Sequence, residues 1–403
     1  MGNYYRFFKP LIPGVPTEIL EEDNWEELWA KGNSEEVAKT LLINTGVLEC
    51  ITMVKSMKFD ITNRRIMARF NNNVVAEIIS PLTPETVKEV TRNPVKVRIY
   101  IRSKHVEAWI MKVYGGLYDV KEFIEEAGDQ LLKALIEGYG YEYNEKTLRV
   151  MLPRILALFR VSTMPIYLFQ VTPPNTGKTF YLLRNRTAFN WAYTSEVPSL
   201  AYLVWNARDN FPGVVYYRDG IGFDGVDKWS LQPFRISKDY ELLLTGMEQG
   251  VWGRGVASPM PEIKKPLNMV FMGNVDTAPM RRVPDRVIAM EMMRPLFKPE
   301  VFFDRIHLVD TYYESVNVQK YIRNTALPDA MIRGVIEVLS ENANRQTGYS
   351  SLTGRMARHS VALQKIFKTL GLDIPGEIVD EMVENGVSYV WEKLYPHLQS
   401  QEK

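Results

Sequence analysis

The stretch that most constrains this chain runs from Met164 to Phe180, MPIYLFQVTPPNTGKTF. The apolar run Ile166-Tyr167-Leu168-Phe169-Gln170-Val171 reads as a buried strand. It breaks at Thr172-Pro173-Pro174-Asn175-Thr176, and Gly177-Lys178-Thr179 then opens Phe180-Tyr181-Leu182-Leu183-Arg184, which reads as a helix start. Strand, phosphate loop and helix in that order are the context a Walker A motif needs. Backbone N–H groups of the loop and of the helix N-terminus face phosphates in such a turn. Lys178 is expected at the β- and γ-phosphates of ATP, and the Thr179 hydroxyl at Mg²⁺. The nucleotide cradle is expected over Pro174, Asn175, Thr176, Gly177, Lys178, Thr179 and Phe180. One departure is plain: Thr172 stands where the GxxxxGK[ST] pattern has its first glycine.

The rest of the chain must house this unit. With 403 residues, two or three domains and a sizeable core are expected. The net charge of +1 supplies no global basic field, so any nucleic-acid binding must come from local patches. Cys50 is the only cysteine, which excludes an internal disulfide framework and suits a reducing, cytosolic compartment. The opening MGNYYRFFKPLIPG is too polar and too proline-broken for a signal peptide. Arg6 at the sixth place argues against a myristoylation signal. No apolar run is long enough to span a membrane. His105, His307, His359 and His397 are scattered without metal-ligand spacing.

Residues 1–117 read as a small α+β domain. Short helices are expected over Glu18–Lys31 and from Ser34 to about Leu42, then strands from Val47 onward and a hairpin over Val95–Val113. Residues 91–115 carry six bases (Arg92, Lys96, Arg98, Arg102, Lys104, Lys112) against one acid, Glu107, with Tyr100, Trp109 and Tyr114 among them. Such strands can track a phosphate backbone and stack bases, although a charge run is more often a solvated face. Residues 118–310 read as leading helices and an α/β nucleotide-binding core, and residues 311–403 as a helical lid.

Within the core, Asp219 and Asp224 each end an apolar run, and either could be the Walker B aspartate that supports Mg²⁺. Neither is followed by the usual glutamate; Gly220 and Gly225 stand there, and Asp227 is the nearest acid able to act on water. The strand ending LNMVFMGN places Asn274 where a polar side chain can orient water against the γ-phosphate. Arg305 in FFDRIH is a candidate finger for a neighbour's nucleotide, with Arg281, Arg282, Arg286 and Arg294 as others. Arg355 and Arg358 begin a lid helix.

The ordered set TPPNTGKT, GIGFDG, GMEQGVWGRG, VFMGN and FFDRIH, followed by a helical arginine, resembles AAA+ ATPases over roughly residues 160–370. It is most similar to the Lon-like ATPases of BREX phage-defence systems (BrxL) and to minichromosome maintenance helicases. That resemblance implies a parallel sheet sandwiched by helices, ATP and Mg²⁺ as ligands, Asp224 as Walker B, Asn274 as sensor 1, Arg305 as finger and Arg355 as sensor 2. It also implies a hexameric or larger ring around DNA, with the hairpin Val251–Lys265 facing the pore and Arg254, Lys264 and Lys265 near phosphates. Gly225 departs from the family's glutamate, and no Lon-type protease domain is expected after the lid. PPNTGKT also resembles superfamily 3 helicases of small viruses and plasmids.

Three functions follow as expectations. The first is a ring-forming, cytoplasmic ATPase that moves along or remodels DNA. The second is a protein-remodelling ATPase gripping polypeptide with Val251 and Trp252. The third is an ATP-gated scaffold on DNA with little hydrolysis, as Gly225 suggests.

Overall fold

The computed structural model describes residues 3–399 except 13, 61–64, 103–104, 116–117, 163, 196–197, 207–210, 232–235, 254–261, 276–282, 295–298, 313 and 315. The N-terminal domain is a mixed six-stranded sheet: β1 (Val47–Thr52), β2 (Val54–Asp60), β3 (Arg65–Phe70), β4 (Val75–Ile78), β5 (Val95–Arg102) and β6 (His105–Val113). Their order is β1-β5-β6-β4-β3-β2, antiparallel except for β4 beside β6. Helices α1 (Trp25–Asn33) and α2 (Glu35–Thr45) lie at the β1 end, with α3 (Pro84–Arg92) preceding β5. Ser34 caps α2 through the Val37 N–H, and Thr83 caps α3 through the Thr86 N–H. The period of two in β5 buries Val95, Val97 and Ile99 and turns Lys96, Arg98 and Tyr100 to the other face.

That other face is not an open basic strip. Lys96 and Lys112 both pair with Glu22 (2.8 and 2.9 Å), Arg98 with Glu49, Arg102 with Glu107 (3.6 Å) and Arg92 with Asp219 (3.3 Å). Lys104 lies outside the described residues. Tyr114 is buried, and Trp109 is half-exposed. Acids from other elements, Glu22, Glu49 and Asp219, together with Glu107 of the facing strand, thus pair with these bases, while Arg102 and Lys112 keep much of their side chains in solvent.

The arm Asn3–Pro10 leaves the N-terminal sheet and joins the core: Tyr4 is buried among core residues, and Lys9 and Pro10 pair antiparallel with Ala326 and Thr325. Just after it, Thr17 and Glu18 accept from the N–H groups of Asp329 and Ala330.

In the core, α4 (Val120–Ala127), α5 (Leu131–Gly138) and α6 (Glu145–Leu156) lead into a parallel sheet. It comprises β7 (Leu168–Thr172), β8 (Trp191–Thr194), β9 (Gly220–Asp224), β10 (Asn268–Asn274) and β11 (Leu308–Thr311), in the order β8-β9-β10-β7-β11. Helix α7 (Lys178–Ala188) follows β7 directly. The sheet is apolar on both faces, as a parallel sheet under helices must be. Leu168, Val270, Met272 and Leu308 join one core; Phe169, Val171, Phe223, Phe271 and Val309 join the other. Helices α8 (Ile236–Gln249) and α9 (Asp285–Met292) complete the core.

Four helices form the C-terminal segment: α10 (Asp329–Arg345), α11 (Gly354–Thr369), α12 (Gly376–Asn385) and α13 (Val387–Leu398). They are tied to the core by buried polar groups: Arg184 of α7 pairs with Asp329 (2.9 Å), and Asp285 of α9 accepts from the Ser388 N–H (2.7 Å). Among the described residues, no helix is long and apolar enough to cross a membrane.

Candidate nucleotide-binding site

The loop after β7 is shaped from outside. Asn175 (φ +68°) and Gly177 (φ +72°) adopt the left-handed conformation, which turns successive N–H groups to one side and makes an anion nest. Three consecutive carbonyls are tied on the opposite side. The Val318 N–H donates to Asn175 O (3.0 Å), Arg154 Nη1 to Thr176 O (2.9 Å), and Tyr181 N–H to Gly177 O (3.0 Å), with the Tyr141 hydroxyl near the last (3.4 Å). In a trans peptide the C=O and the following N–H point in opposite directions. Holding those carbonyls outward therefore aims the Thr176, Gly177 and Lys178 N–H groups inward, at the head of α7, where the helix dipole also favours an anion. A Cβ on residue 177 would sit 2.5 Å from the Tyr141 oxygen, so glycine is required on steric as well as conformational grounds.

Lys178 is buried, and its Nζ donates to Thr172 O (3.0 Å), Thr172 Oγ1 (3.1 Å) and Pro173 O (3.0 Å). Thr172 thus has work at the position of the missing first glycine: its hydroxyl also meets Thr176 Oγ1 at 2.6 Å, bracing the base of the loop. Burial, and then the charge of Arg154, pull the Lys178 ammonium down to about 8, while Asp224 and Asp227 push the other way.

The neighbouring strands bring the acids to the same end. Asn274 is in register with Thr172, and Asp224 with Met272. Asp224 accepts from the Tyr193 hydroxyl (3.2 Å). Asp227, on the turn after β9, accepts from the Asn274 N–H (2.9 Å) and lies over Gly273, where a Cβ would come within 2.9 Å of its Oδ1. Lys178, Asp224, Asp227 and Asn274 are therefore gathered at one place, with Thr179 exposed on the first turn of α7. A hydroxyl and a carboxylate beside a phosphate cradle are the hard oxygen donors Mg²⁺ takes, so Thr179 and Asp224 fit that ion. Asp219 belongs elsewhere: it precedes β9, at the other end of the strand, and pairs with Arg92 and with Lys265 (3.5 Å).

The arginines form a second cluster. His307 N–H bonds Tyr167 O (3.1 Å), which places this segment at the start of β7, five residues before Thr172. That is roughly 16 Å along a strand. There Arg305 pairs with Glu248 of α8, and Arg355 with both Glu248 and Asp304. Arg355, the expected sensor 2, stands beside Arg305, at the end of the sheet away from the loop. Arg286 is buried on the carbonyls of Val383 (2.6 Å) and Ile306 (2.7 Å), which fixes it as a structural group. Arg294 pairs on the surface with Glu291 (3.1 Å), and Arg281 and Arg282 lie outside the described residues.

The hairpin is present, with Val251 opposite Lys264 and Trp252 opposite Ile263. Trp252 is not a gripping residue. It is 0 % exposed, its ring lies where a Cβ on Gly246 would be (2.2 Å), and its Nε1 donates to Lys265 O (2.9 Å). Of the expected DNA contacts, Lys264 is exposed, Lys265 is partly buried against Asp219, and Arg254 lies outside the described residues. Sequence reasoning missed Arg154, Tyr141, Tyr193 and Val318. Arg154 follows a mid-helix proline, Pro153, and only that oddity marked its position.

A phosphate loop, a strand-end aspartate, a second aspartate on the turn beyond it and an asparagine at one end of a parallel sheet define a P-loop ATPase domain. Residues 118–348 match the profile described as Lon-like protease BrxL-like, ATPase domain, and the chain belongs to that family. Relatives include the uncharacterized protein ORF425 of Acidianus filamentous virus 2 (isolate Italy/Pozzuoli), 30% identical over 49% of this chain and 47% of the relative. The uncharacterized protein 440 of Sulfolobus islandicus rod-shaped virus 1 is 27% identical over 66% of this chain and 64% of its own length. Protein ORF426 of Acidianus filamentous virus 1 (isolate United States/Yellowstone) is 26% identical over 62% and 63%. The matches thus span about half to just under two thirds of these relatives.

Proposed function

We propose that this protein is a ring-forming ATPase that spends ATP to move along or remodel DNA. The observation that carries the ring is the division of the site: Lys178, Asp224, Asp227 and Asn274 stand at one end of the sheet, Arg305 and Arg355 at the other. Two half-sites of this kind complete one another only across an interface between copies. DNA as the track is supported by the resemblance to minichromosome maintenance helicases, by exposed Lys264 on the hairpin and by the viral origin of the relatives.

In the mechanism, the inward N–H groups and Lys178 bind the β- and γ-phosphates. Mg²⁺, held by Thr179 and Asp224, would neutralise phosphate charge. Asp227 accepts the proton of the attacking water in place of the family's glutamate, and Asn274 orients that water. Arg305 and Arg355 of the adjoining copy stabilise the charge that spreads over the transferred phosphoryl group.

A second reading keeps its own observation: Gly225 has φ +75°, a backbone setting a glutamate rarely adopts, which favours a nucleotide-gated scaffold on DNA with little turnover. ATP hydrolysis, with and without single- and double-stranded DNA, and with light scattering for mass, separates the two. Turnover that rises with DNA in a multimer, and that vanishes in Lys178→Ala, supports the motor. Tight binding without turnover supports the scaffold. A protein that stays monomeric with ATP and DNA sinks the ring.

A further inference from the structure

Beneath the phosphate loop lies an arginine that is no part of the Walker A motif. Arg154 is 0 % exposed. Its Nη1 donates to Thr176 O (2.9 Å) and its Nε to the Gln170 amide oxygen (2.7 Å); both acceptors are uncharged. Its Nη2 is buried without a partner among the described residues. The guanidinium lies over the ring of Tyr181 (5.6 Å), on the helix that the loop leads into. Gln170 is itself held by Asp310 Oδ2 (2.9 Å) and Val150 O (3.3 Å), and Asp310 is engaged by Arg149 (2.7 Å) and Ser388 (3.0 Å).

Asp310 and Asp224 act on this charge only from beyond hydrogen-bond contact, and burying a charge whose hydrogen-bond acceptors are all neutral is costly; an arginine does not shed its proton to escape the cost. Arg154 and Lys178 also repel one another across the loop, which adds to burial in lowering the Lys178 ammonium, against Asp224 and Asp227. A polyphosphate in the nest would offset both charges at once, in a setting where water screens little.

We propose that Arg154 is a positioning residue with a buried counter-charge: it fixes the Thr176–Gly177 peptide and makes phosphate binding depend on the ligand's negative charge. The inference rests on the nucleotide reading of the loop. The affected ligand class is nucleoside polyphosphate, with ATP gaining more than ADP and adenosine gaining nothing.

Calorimetry on the full chain with ATP, ADP and adenosine, for wild type, Arg154→Met and Arg154→Gln, tests it. Arg154→Gln keeps a donor near Thr176 O but carries no charge, and it stands in if Arg154→Met does not fold. Both variants are expected to lose roughly tenfold or more in ATP affinity, less for ADP and nothing for adenosine. The melting temperature of the ligand-free variants is expected to equal or exceed that of wild type. Unchanged ATP affinity in a folded variant overturns the proposal. So does an equal loss for all three ligands with a lowered melting temperature, which marks a merely structural arginine. Wild type that binds none of the three overturns the nucleotide reading itself, and is told apart because it fails before any variant is compared.

Discussion

The two ends of the core sheet handle positive charge in opposite ways. At the loop end, Lys178 and Arg154 are buried and hydrogen-bonded to uncharged oxygens: Thr172, Pro173, Thr176 and Gln170. At the other end, Arg305 and Arg355 share the Glu248 carboxylate, with Asp304 added, and Lys265 and Arg92 share Asp219. Cations held by neutral dipoles keep their charge for an incoming anion; cations already matched to carboxylates must exchange partners before they can serve one. The difference separates cations ready for an anion from cations already matched, and under the proposed ring the second set would change partners at an interface.

The contrast breaks most visibly if the second end does not act across an interface. Arg305→Ala is expected to lower turnover about 10³-fold, as loss of an arginine finger does. Mixing it with inactive Lys178→Ala protein should restore activity, since some interfaces then pair an intact loop with an intact finger. Mixtures as dead as their parts would return Arg305 to a structural role. A sharper cut compares two aspartates. Asp227→Asn should reduce kcat about 10²-fold with little change in ATP affinity. Asp219→Asn, at the far end of the same strand, should leave kcat within about threefold, a surface pair being worth little. Equal effects would mean that the division by sheet ends is wrong.

Trp252→Ala tests the hairpin by stability. Removal of a buried tryptophan should cost about 3–5 kcal/mol in unfolding, read by denaturant titration. A variant as stable as wild type that fails to hold unfolded polypeptide would revive the gripping role. The smallest effect concerns pH. Because Lys178 sits near 8 rather than at its ordinary value, the ligand-free chain gains stability as pH rises from about 8 toward 10. Phosphate binding favours the charged form, so ATP affinity should fall over that window. Calorimetry in two buffers at about pH 9 should show proton uptake that is absent at about pH 6.5. Uptake that is equal at both values would remove Lys178 from the account.

Much of the loop end was legible in the chain. Strand, Gly177-Lys178-Thr179 and helix lie within a short local stretch, and Asp224 and Asn274 each end an apolar run. What escaped was set by long-range pairing. Arg154 acts on the loop through a carbonyl, and its helical neighbours give no sign of that. Trp252 looked like an exposed aromatic because its fate depends on Gly246, whose missing Cβ makes the room. The bases of β5 and β6 looked available because Glu22 and Glu49 reach them from other elements. The opening arm read as part of the first domain because nothing in NYYRFFKP announces Ala326 as its partner.

Gly225 carries a consequence for how such a chain could change. A Cβ there would meet nothing nearer than 3.9 Å, so bulk is no obstacle. The obstacle is the handedness of the backbone, which costs a side chain about 1 kcal/mol. A glutamate at 225 is thus one tolerable strain away rather than forbidden, and its toll would fall on folding. Under the motor reading, selection or a protein engineer would meet a shallow trade between pace and durability at that residue.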